Sequence, residues 1–370
     1  MVTETHHHRT VIKVGSALLV EPDGTVRGQW LETLVADIAA LHSVGEQVII
    51  VSSGAKALGA RRLNLPNGGR DSLEDAQAAA AVGQIALAGV WAQLFSVYGL
   101  TAAQMLLTLG DLEDRRRYLN ASATLNRLLK LNVVPIVNEN DSVATTEIRF
   151  GDNDRLAARI AQAASAQTVI LLSDVDGLYT ANPKTNPDAE RLQVVDELTP
   201  KVMAMASSDS ASGMGTGGMI SKLQAAKIAT RAGADLIIVS GEHDHPLERL
   251  TNGEGGTRFT AAPPAKARKG WLAGRLTAKG HIHVDAGAEK ALGNGKSLLA
   301  AGITKVEGKF ERGDVVNIIG PDGVAFARGL SEYDSRDGVA IVGLSSAAIG
   351  EKLGGPPRAA FVHRDHMVML

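Results

Sequence analysis

The sequence predicts an α/β fold with a mostly parallel sheet, followed by a smaller β-rich domain. Three observations carry that expectation. Four- and five-residue apolar runs (Val48-Ile49-Ile50-Val51, Val133-Val134-Pro135-Ile136-Val137, Val169-Ile170-Leu171-Leu172 and Leu236-Ile237-Ile238-Val239) are continuous, as in strands covered on both faces. Segments of helical character separate them, which is the order of βαβ units. From about Gly241 the texture changes, and short apolar runs punctuated by Gly and Asp take over.

Composition bounds the function classes. At 370 residues the chain has room for two or more domains and a sizeable core. A formal charge of −2 gives no global attraction to nucleic acid or membrane. No apolar run approaches membrane-spanning length, and His6-His7-His8-Arg9 stands where a signal segment would be apolar. The absence of cysteine excludes disulfides and thiolate metal sites, and a cytoplasmic location is the expectation. His243 and His245, His281 and His283, and His363 and His366 form spaced pairs, but no carboxylate cluster at metal spacing accompanies them, so no protein-held metal is assigned.

The first element is a strand at Val11-Ile12-Lys13-Val14, ending at Gly15-Ser16, with a helix from about Gln29 to His42. Lys13 interrupts an otherwise buried strand, and a lysine there is costly unless it reaches an anion or a cavity. Val48–Val51 exits into Ser52-Ser53-Gly54-Ala55, hydroxyls that suit a polar ligand or equally a helix cap. Ser72 to Tyr98 is alanine-rich and reads as one long or two shorter helices with a structural role. Thr101–Leu107 is a further strand, and Asp111–Lys130 a helix with Arg115-Arg116-Arg117 on a solvated face.

Val133–Val137 runs into Asn138-Glu139-Asn140-Asp141-Ser142, more polar residues than a turn requires. Gly151-Asp152-Asn153-Asp154 then opens a helix over Arg155–Ala164, with one acid more than a cap needs. Val169–Leu172 exits at Ser173-Asp174-Val175-Asp176-Gly177, and Leu236–Val239 at Ser240-Gly241. Right-handed crossovers in a parallel sheet place these exits along one edge, where open α/β sheets bind ligands. Lys13, Ser53, Asp141, Asp154 and Asp174 therefore share an edge.

Gly213-Met214-Gly215-Thr216-Gly217-Gly218-Met219-Ile220-Ser221-Lys222 is a glycine-dense loop running into a helix. Converging backbone N–H groups, the helix dipole, the hydroxyls of Thr216 and Ser221 and the charge of Lys222 suit a phosphate. Gly213, Gly215 and Gly218 satisfy G-x-G-x-x-G, but the polar stretch Ser207–Ser212 precedes them where the dinucleotide fingerprint needs a strand. Gly295-Lys296-Ser297 is no Walker loop, because Lys290 occupies the position of the leading glycine.

Thr251–Lys279 is rich in Gly, Pro and basic residues, and its second half reads as a boundary. The expected domains are 1–260, a linker at 261–280, and 281–370. In the last, Ile282–Val284, Ser297–Leu299, Val315–Ile319, Val324–Ala327 and Val339–Val342 are strand candidates.

Taken together, Val11–Ser16, Ser52–Ala55, Val137–Asp141, Gly151–Asp154, Ser173-Asp174 with Gly177-Leu178-Tyr179, and Gly215–Met219 with Lys222 resemble the amino acid kinase family, in that family's order and over nearly all of the first 240 residues. The Asn-Glu-Asn-Asp and Gly-Asp-Asn-Asp segments resemble the branch acting on glutamate, and the C-terminal region resembles a PUA domain. The resemblance implies a three-layer αβα sandwich and an ATP-dependent phosphorylation of the γ-carboxylate of L-glutamate, the first step of proline biosynthesis. It implies that Lys13, Asp154 and Lys222 are catalytic. It assigns Lys13, Ser173, Asp174, Thr216, Gly217, Gly218, Met219, Ile220, Ser221 and Lys222 to ATP, and Ser53, Asp141 and Asn153 to the acceptor. Mg2+ would ride mainly on the ATP phosphates and water. A homo-oligomer (dimer or tetramer), feedback inhibition by proline and hand-over of the product to a glutamyl phosphate reductase are further implications.

Lys56 departs from the family's pattern, which has an apolar residue after Ser-Gly-Ala. Residues 281–370 hold ten Lys and Arg against eleven Asp and Glu, weak footing for RNA, so a regulatory or assembly role of the PUA-like domain ranks ahead.

Overall fold

The structure, a computed structural model, describes residues 7–21, 23–143, 153–183, 185–206, 218–262, 278–358 and 360–370. Two compact units emerge, Met1–Leu112 with Ala121–Ala262, and Glu113–Asn120 with Pro263–Leu370. The division falls at Ala262/Pro263, and Glu113–Asn120, expected within the first domain, groups with the second unit. Of the expected linker, 263–277 lies outside the described residues.

Up to residue 262 the elements run β1 (Arg9–Val14), α1 (Ser16–Leu19), α2 (Gly28–Ser43), β2 (Gln47–Ser52), α3 (Ala55–Arg62), α4 (Leu73–Val97), β3 (Thr101–Leu107), α5 (Leu109–Glu113) and α6 (Arg115–Lys130). They continue with β4 (Val133–Glu139), α7 (Asn153–Ala163), β5 (Thr168–Ser173), β6 (Val194–Val195), α8 (Pro200–Met205), α9 (Met219–Ala232), β7 (Asp235–Ser240), α10 (Pro246–Thr251) and β8 (Thr257–Phe259). The single helix expected over Asp111–Lys130 is two. Asp114 accepts the N–H of Arg117 at 2.9 Å and so starts α6 afresh.

The strands form one sheet in the order β3-β4-β2-β1-β5-β7-β8-β6. All its pairs are parallel except β7 with β8. Side chains alternate across it. Ile12, Val14, Ile50, Ile136, Ile170 and Leu172 pack with α2 and α4 residues such as Leu34, Leu87 and Trp91. On the other face α7 packs on β1, β2, β4 and β5, and α9 on β7. These are the three layers.

The helix α4 corrects one expectation, because by length and composition alone it is apolar enough to cross a membrane. Its Leu87, Trp91 and Phe95 are fully buried in the core instead.

The second unit contains β9 (Gly280–Val284), α11 (Ala286–Gly293), β10 (Ile303–Gly308), β11 (Val315–Ile319), β12 (Ala325–Leu330), α12 (Ser335–Ala340), α13 (Ser346–Leu353) and β13 (Met367–Met369). Its separate sheet has the order β10-β9-β11-β12-β13. Two strand expectations fail here. Val339 lies in α12, whose start is fixed by Asp334 accepting the N–H of Asp337 at 2.8 Å, a cap that overrides the β-branched run. Leu298 makes only an isolated bridge, to Val362.

Candidate active site

β1 and β5 are neighbours although far apart in sequence, and β2 flanks β1 on the other side, so the direction of winding switches at β1. Lys13 stands one residue before the end of β1, in register with Val51 of β2 and Leu171 of β5. Its ammonium lies 2.6 Å from Asp154 Oδ1 at the start of α7. From the start of α9, Lys222 Nζ approaches Asp154 Oδ2 at 3.5 Å. Small residues bring these helices together. Ala157, Ala158 and Ala161 on α7 and Ala225, Ala226 and Ala229 on α9 are all buried, one or two turns beyond the charged residues on the two helices that pack against each other.

Asp154 is 1% exposed, and the two lysine side chains are 11% and 7% exposed. Burial alone would raise its carboxyl; the charges and hydrogen bonds of Lys13 and Lys222 outweigh that and hold it below the ordinary 3.8. Two cations around one anion leave a surplus positive charge in a water-poor site, suited to a phosphoryl group.

A second polar cluster is continuous with the first. Asn153, next to Asp154, donates from Nδ2 to Ser53 Oγ at 2.7 Å, to the Ser52 carbonyl at 3.2 Å and to Asn138 Oδ1 at 3.2 Å. Asn138 in turn donates to Gln84 Oε1 on α4 at 2.8 Å, and Trp91 Nε1 donates to Ser52 Oγ at 3.0 Å. Gly54 turns the chain from β2 into α3 with a φ of 98°, a left-handed conformation that favours glycine. Among the described residues, Gln84 Nε2 and Asn153 Oδ1 are buried without a hydrogen-bond partner. Buried polar atoms are normally paired, so these two mark where a polar ligand fits. Asp141 stands in the turn after β4, and its Oδ1 pairs with Lys56 Nζ at 2.8 Å.

At the exits of β5 and β7 lies a cavity of about 590 Å³, lined by Asp174, Gly177, Tyr179, Met219, Ser240 and Arg249 among others. Its volume is that of a nucleotide-sized ligand pocket. Ser173 Oγ donates to Asp174 Oδ1 at 2.9 Å. Gly218 caps α9, Met219 is buried, Ile220 is exposed and Ser221 is half-buried in its first turn. Thr216 and Gly217 lie outside the described residues.

The profile described as Amino acid kinase family matches residues 8–240. The chain belongs to the amino acid kinase family. A second profile, PUA domain, matches residues 280–353. The glutamate 5-kinase of Zymomonas mobilis subsp. mobilis is 60% identical over 362 residues, covering 98% of this chain and 91% of that one. The glutamate 5-kinase of Sphingopyxis alaskensis is 61% identical over 362 residues, covering 98% and 97%. Among solved structures, carbamate kinase from Giardia lamblia bound to AMP-PNP superposes with a TM-score of 0.51 at 18% identity, covering 70% of this chain and 99% of that one. That likeness bears on the fold alone.

For this amino acid kinase, the sequence pattern missed Gln84 as a member of the polar cluster and singled out Asn138 only within the polar run after β4. Gln84 is one of several polar side chains on that alanine-rich stretch, and nothing in the sequence set it apart from Gln77 or Gln93. A further correction concerns His245. Asp37 and Glu248 bring carboxylates within 4.8 Å of it, a grouping that sequence spacing hid because Asp37 lies on α2. Asp37 is occupied as a cap: its Oδ1 meets His245 Nδ1 at 2.7 Å, and its Oδ2 accepts the N–H groups of Leu247 and Glu248 at 2.9 and 3.2 Å.

Proposed function

We propose that the chain catalyses transfer of the γ-phosphoryl group of ATP to the γ-carboxylate of L-glutamate, giving L-glutamyl 5-phosphate and ADP, the first step of proline biosynthesis. The observation that carries the reading is Asp154 held between Lys13 and Lys222, in a chain alignable over 98% of its length with two glutamate 5-kinases.

In this reading ATP enters the cavity beside Asp174, Met219 and Ser240, with its phosphates directed to the start of α9 and the two lysines. Glutamate occupies the cluster of Ser53, Asn153 and Asp141. A γ-carboxylate oxygen attacks the γ-phosphorus, the bond to the bridging oxygen breaks, and ADP leaves with that electron pair. Lys13 and Lys222 offset charge on the transferring and leaving groups, and Asp154 fixes both ammonium positions. Positioning and electrostatics suffice, since a carboxylate is already ionised and nucleophilic at neutral pH.

Asp154 is committed to the lysines, so Mg2+ would be held mainly by nucleotide oxygens and water, and Asp174, exposed at the cavity wall, is the carboxylate that would support it there. When bound, the ion neutralises phosphate charge.

The finer expectations belong to the same reading: a homo-oligomer, proline as feedback inhibitor, product hand-over to a reductase, and a cytoplasmic, cysteine-free enzyme. The PUA domain, near neutral in charge, takes a regulatory or assembly role ahead of RNA binding.

The test is ADP release with hydroxylamine trapping of the acyl phosphate, across glutamate, aspartate, N-acetylglutamate and carbamate, with and without proline. Trapped hydroxamate from glutamate alone is expected. A preference for another acceptor ends the glutamate assignment, and undiminished turnover in proline ends the feedback assignment.

A further inference from the structure

Lys56 occupies the first turn of α3, where the helix dipole favours an anion, and no acidic residue shares that turn. Its partner is Asp141, 2.8 Å away, with the Lys56 side chain 37% exposed and Asp141 12% exposed.

Both partners are anchored to one scaffold. The backbones of α3 and α4 cross so closely that a Cβ on Gly59 would fall 1.7 Å from the Ala79 carbonyl oxygen, and one on Gly83 1.7 Å from that of Ala55. The turn Asp141–Val143 packs on the same helix α4. The pair also continues the acceptor-side cluster, because Lys56 follows Ser53 by three residues and Ser53 is bonded to Asn153, the neighbour of Asp154. A half-buried cation and a mostly buried anion therefore stand together, with no net charge, beside the place assigned to the acceptor.

We propose that Lys56 is a specificity-determining residue of this chain: Lys56 receives the α-carboxylate of the acceptor while Asp141 receives its α-ammonium. The assignment rests on the reading of the site as that of a glutamate kinase. In the free protein the two charges neutralise each other. An α-amino acid zwitterion entering between them replaces one ion pair by two and leaves no charge unmatched. A ligand with an amine but no α-carboxylate, such as 4-aminobutyrate, strands the lysine. A ligand with two carboxylates and no amine, such as glutarate, strands the aspartate.

The test uses Lys56→Met and Lys56→Arg in the full chain, with steady-state ADP release on glutamate and competitive inhibition by 4-aminobutyrate and glutarate. Lys56→Met is expected to raise the KM for glutamate about tenfold, the effect of losing one charge-assisted hydrogen bond. Its kcat changes less than its KM. It weakens inhibition by glutarate, strengthens inhibition by 4-aminobutyrate, and Lys56→Arg restores most of the glutamate KM. An unchanged or lowered glutamate KM in Lys56→Met overturns the proposal, and so does equal weakening of all three ligands with a lowered Tm. A wild-type chain that releases no ADP on glutamate fails at the earlier step and overturns the glutamate reading itself.

Discussion

Asp154 and Asp141 both stand near the ends of parallel strands and both are held by lysine, yet they are built for different work. Asp154 is 1% exposed between two lysines that are themselves mostly buried. Asp141 is 12% exposed, and among the described residues its ion-pair partner is Lys56, whose side chain is 37% exposed. Separating a buried ion pair leaves an unmatched charge in a low-dielectric interior, so the proposed mechanism keeps the first arrangement fixed throughout turnover. A pair whose lysine is reached by water exchanges partners at lower cost than one buried on both sides, so on the proposed reading the second suits a group that must open to admit substrate. Permanent machinery and exchangeable recognition thus differ in how many partners share the carboxylate and how far water reaches it.

The contrast breaks most visibly at the lysines. Lys13→Met or Lys222→Met is expected to lower kcat about a thousandfold, the scale of removing a preorganised charge from a transition state, with a much smaller change in the glutamate KM. Retention of kcat within about tenfold would remove the buried cluster from the chemistry. The exchangeable pair gives the opposite split. Asp141→Asn should raise the glutamate KM by roughly tenfold or more while kcat moves less, because it removes the ammonium's charged partner; steady-state kinetics over a wide glutamate range decide it.

The scaffold under that pair offers a third test. Gly83→Ala places a methyl against the Ala55 carbonyl and should destabilise the protein by about 2 kcal/mol or more, read from denaturant or thermal unfolding. An unchanged Tm would mean that α3 and α4 separate freely.

The smallest effect sharpens the comparison from the second unit. His366 is buried, and desolvation, aided by the charge of His363 and only partly opposed by Asp365, lowers it to about 4. Its folded value lies below the unfolded one, so the unfolded chain binds the proton first, and stability falls as pH drops from about 6.5 through about 4. At pH near 5.5 His366→Gln should remove about 1 kcal/mol of that loss. Asp154 is also depressed, so its contribution is complete above the ordinary 3.8 and is lost only as pH falls through its lower folded value. Acid unfolding profiles of His366→Gln and the wild type that superimpose between pH about 4 and 6.5 would contradict the assignment.

Much of this arrangement was legible in the sequence because it breaks local rules. A lysine inside an apolar strand and a surplus aspartate at a helix start carry a desolvation cost that demands partners, and the parallel sheet supplied the shared edge. The contacts that depend on helix rotation were not legible. An alanine-rich helix has no strong amphipathic face, so nothing in Ser72–Tyr98 announced that Gln84 meets Asn138 or that Trp91 meets Ser52. Asp37 and His245 meet across 208 residues, beyond any spacing rule. Val339–Val342 read as a strand because the β-branched run was weighed without the Asp334 cap before it.

The most direct measurement is the turnover of Asp154→Asn, with its affinity for a non-hydrolysable ATP analogue determined in parallel. If the aspartate sets both ammonium positions, glutamate-dependent ADP release falls at least about a hundredfold while the analogue still binds and the chain stays folded. A variant that binds the analogue and turns over at close to the wild-type rate contradicts the account.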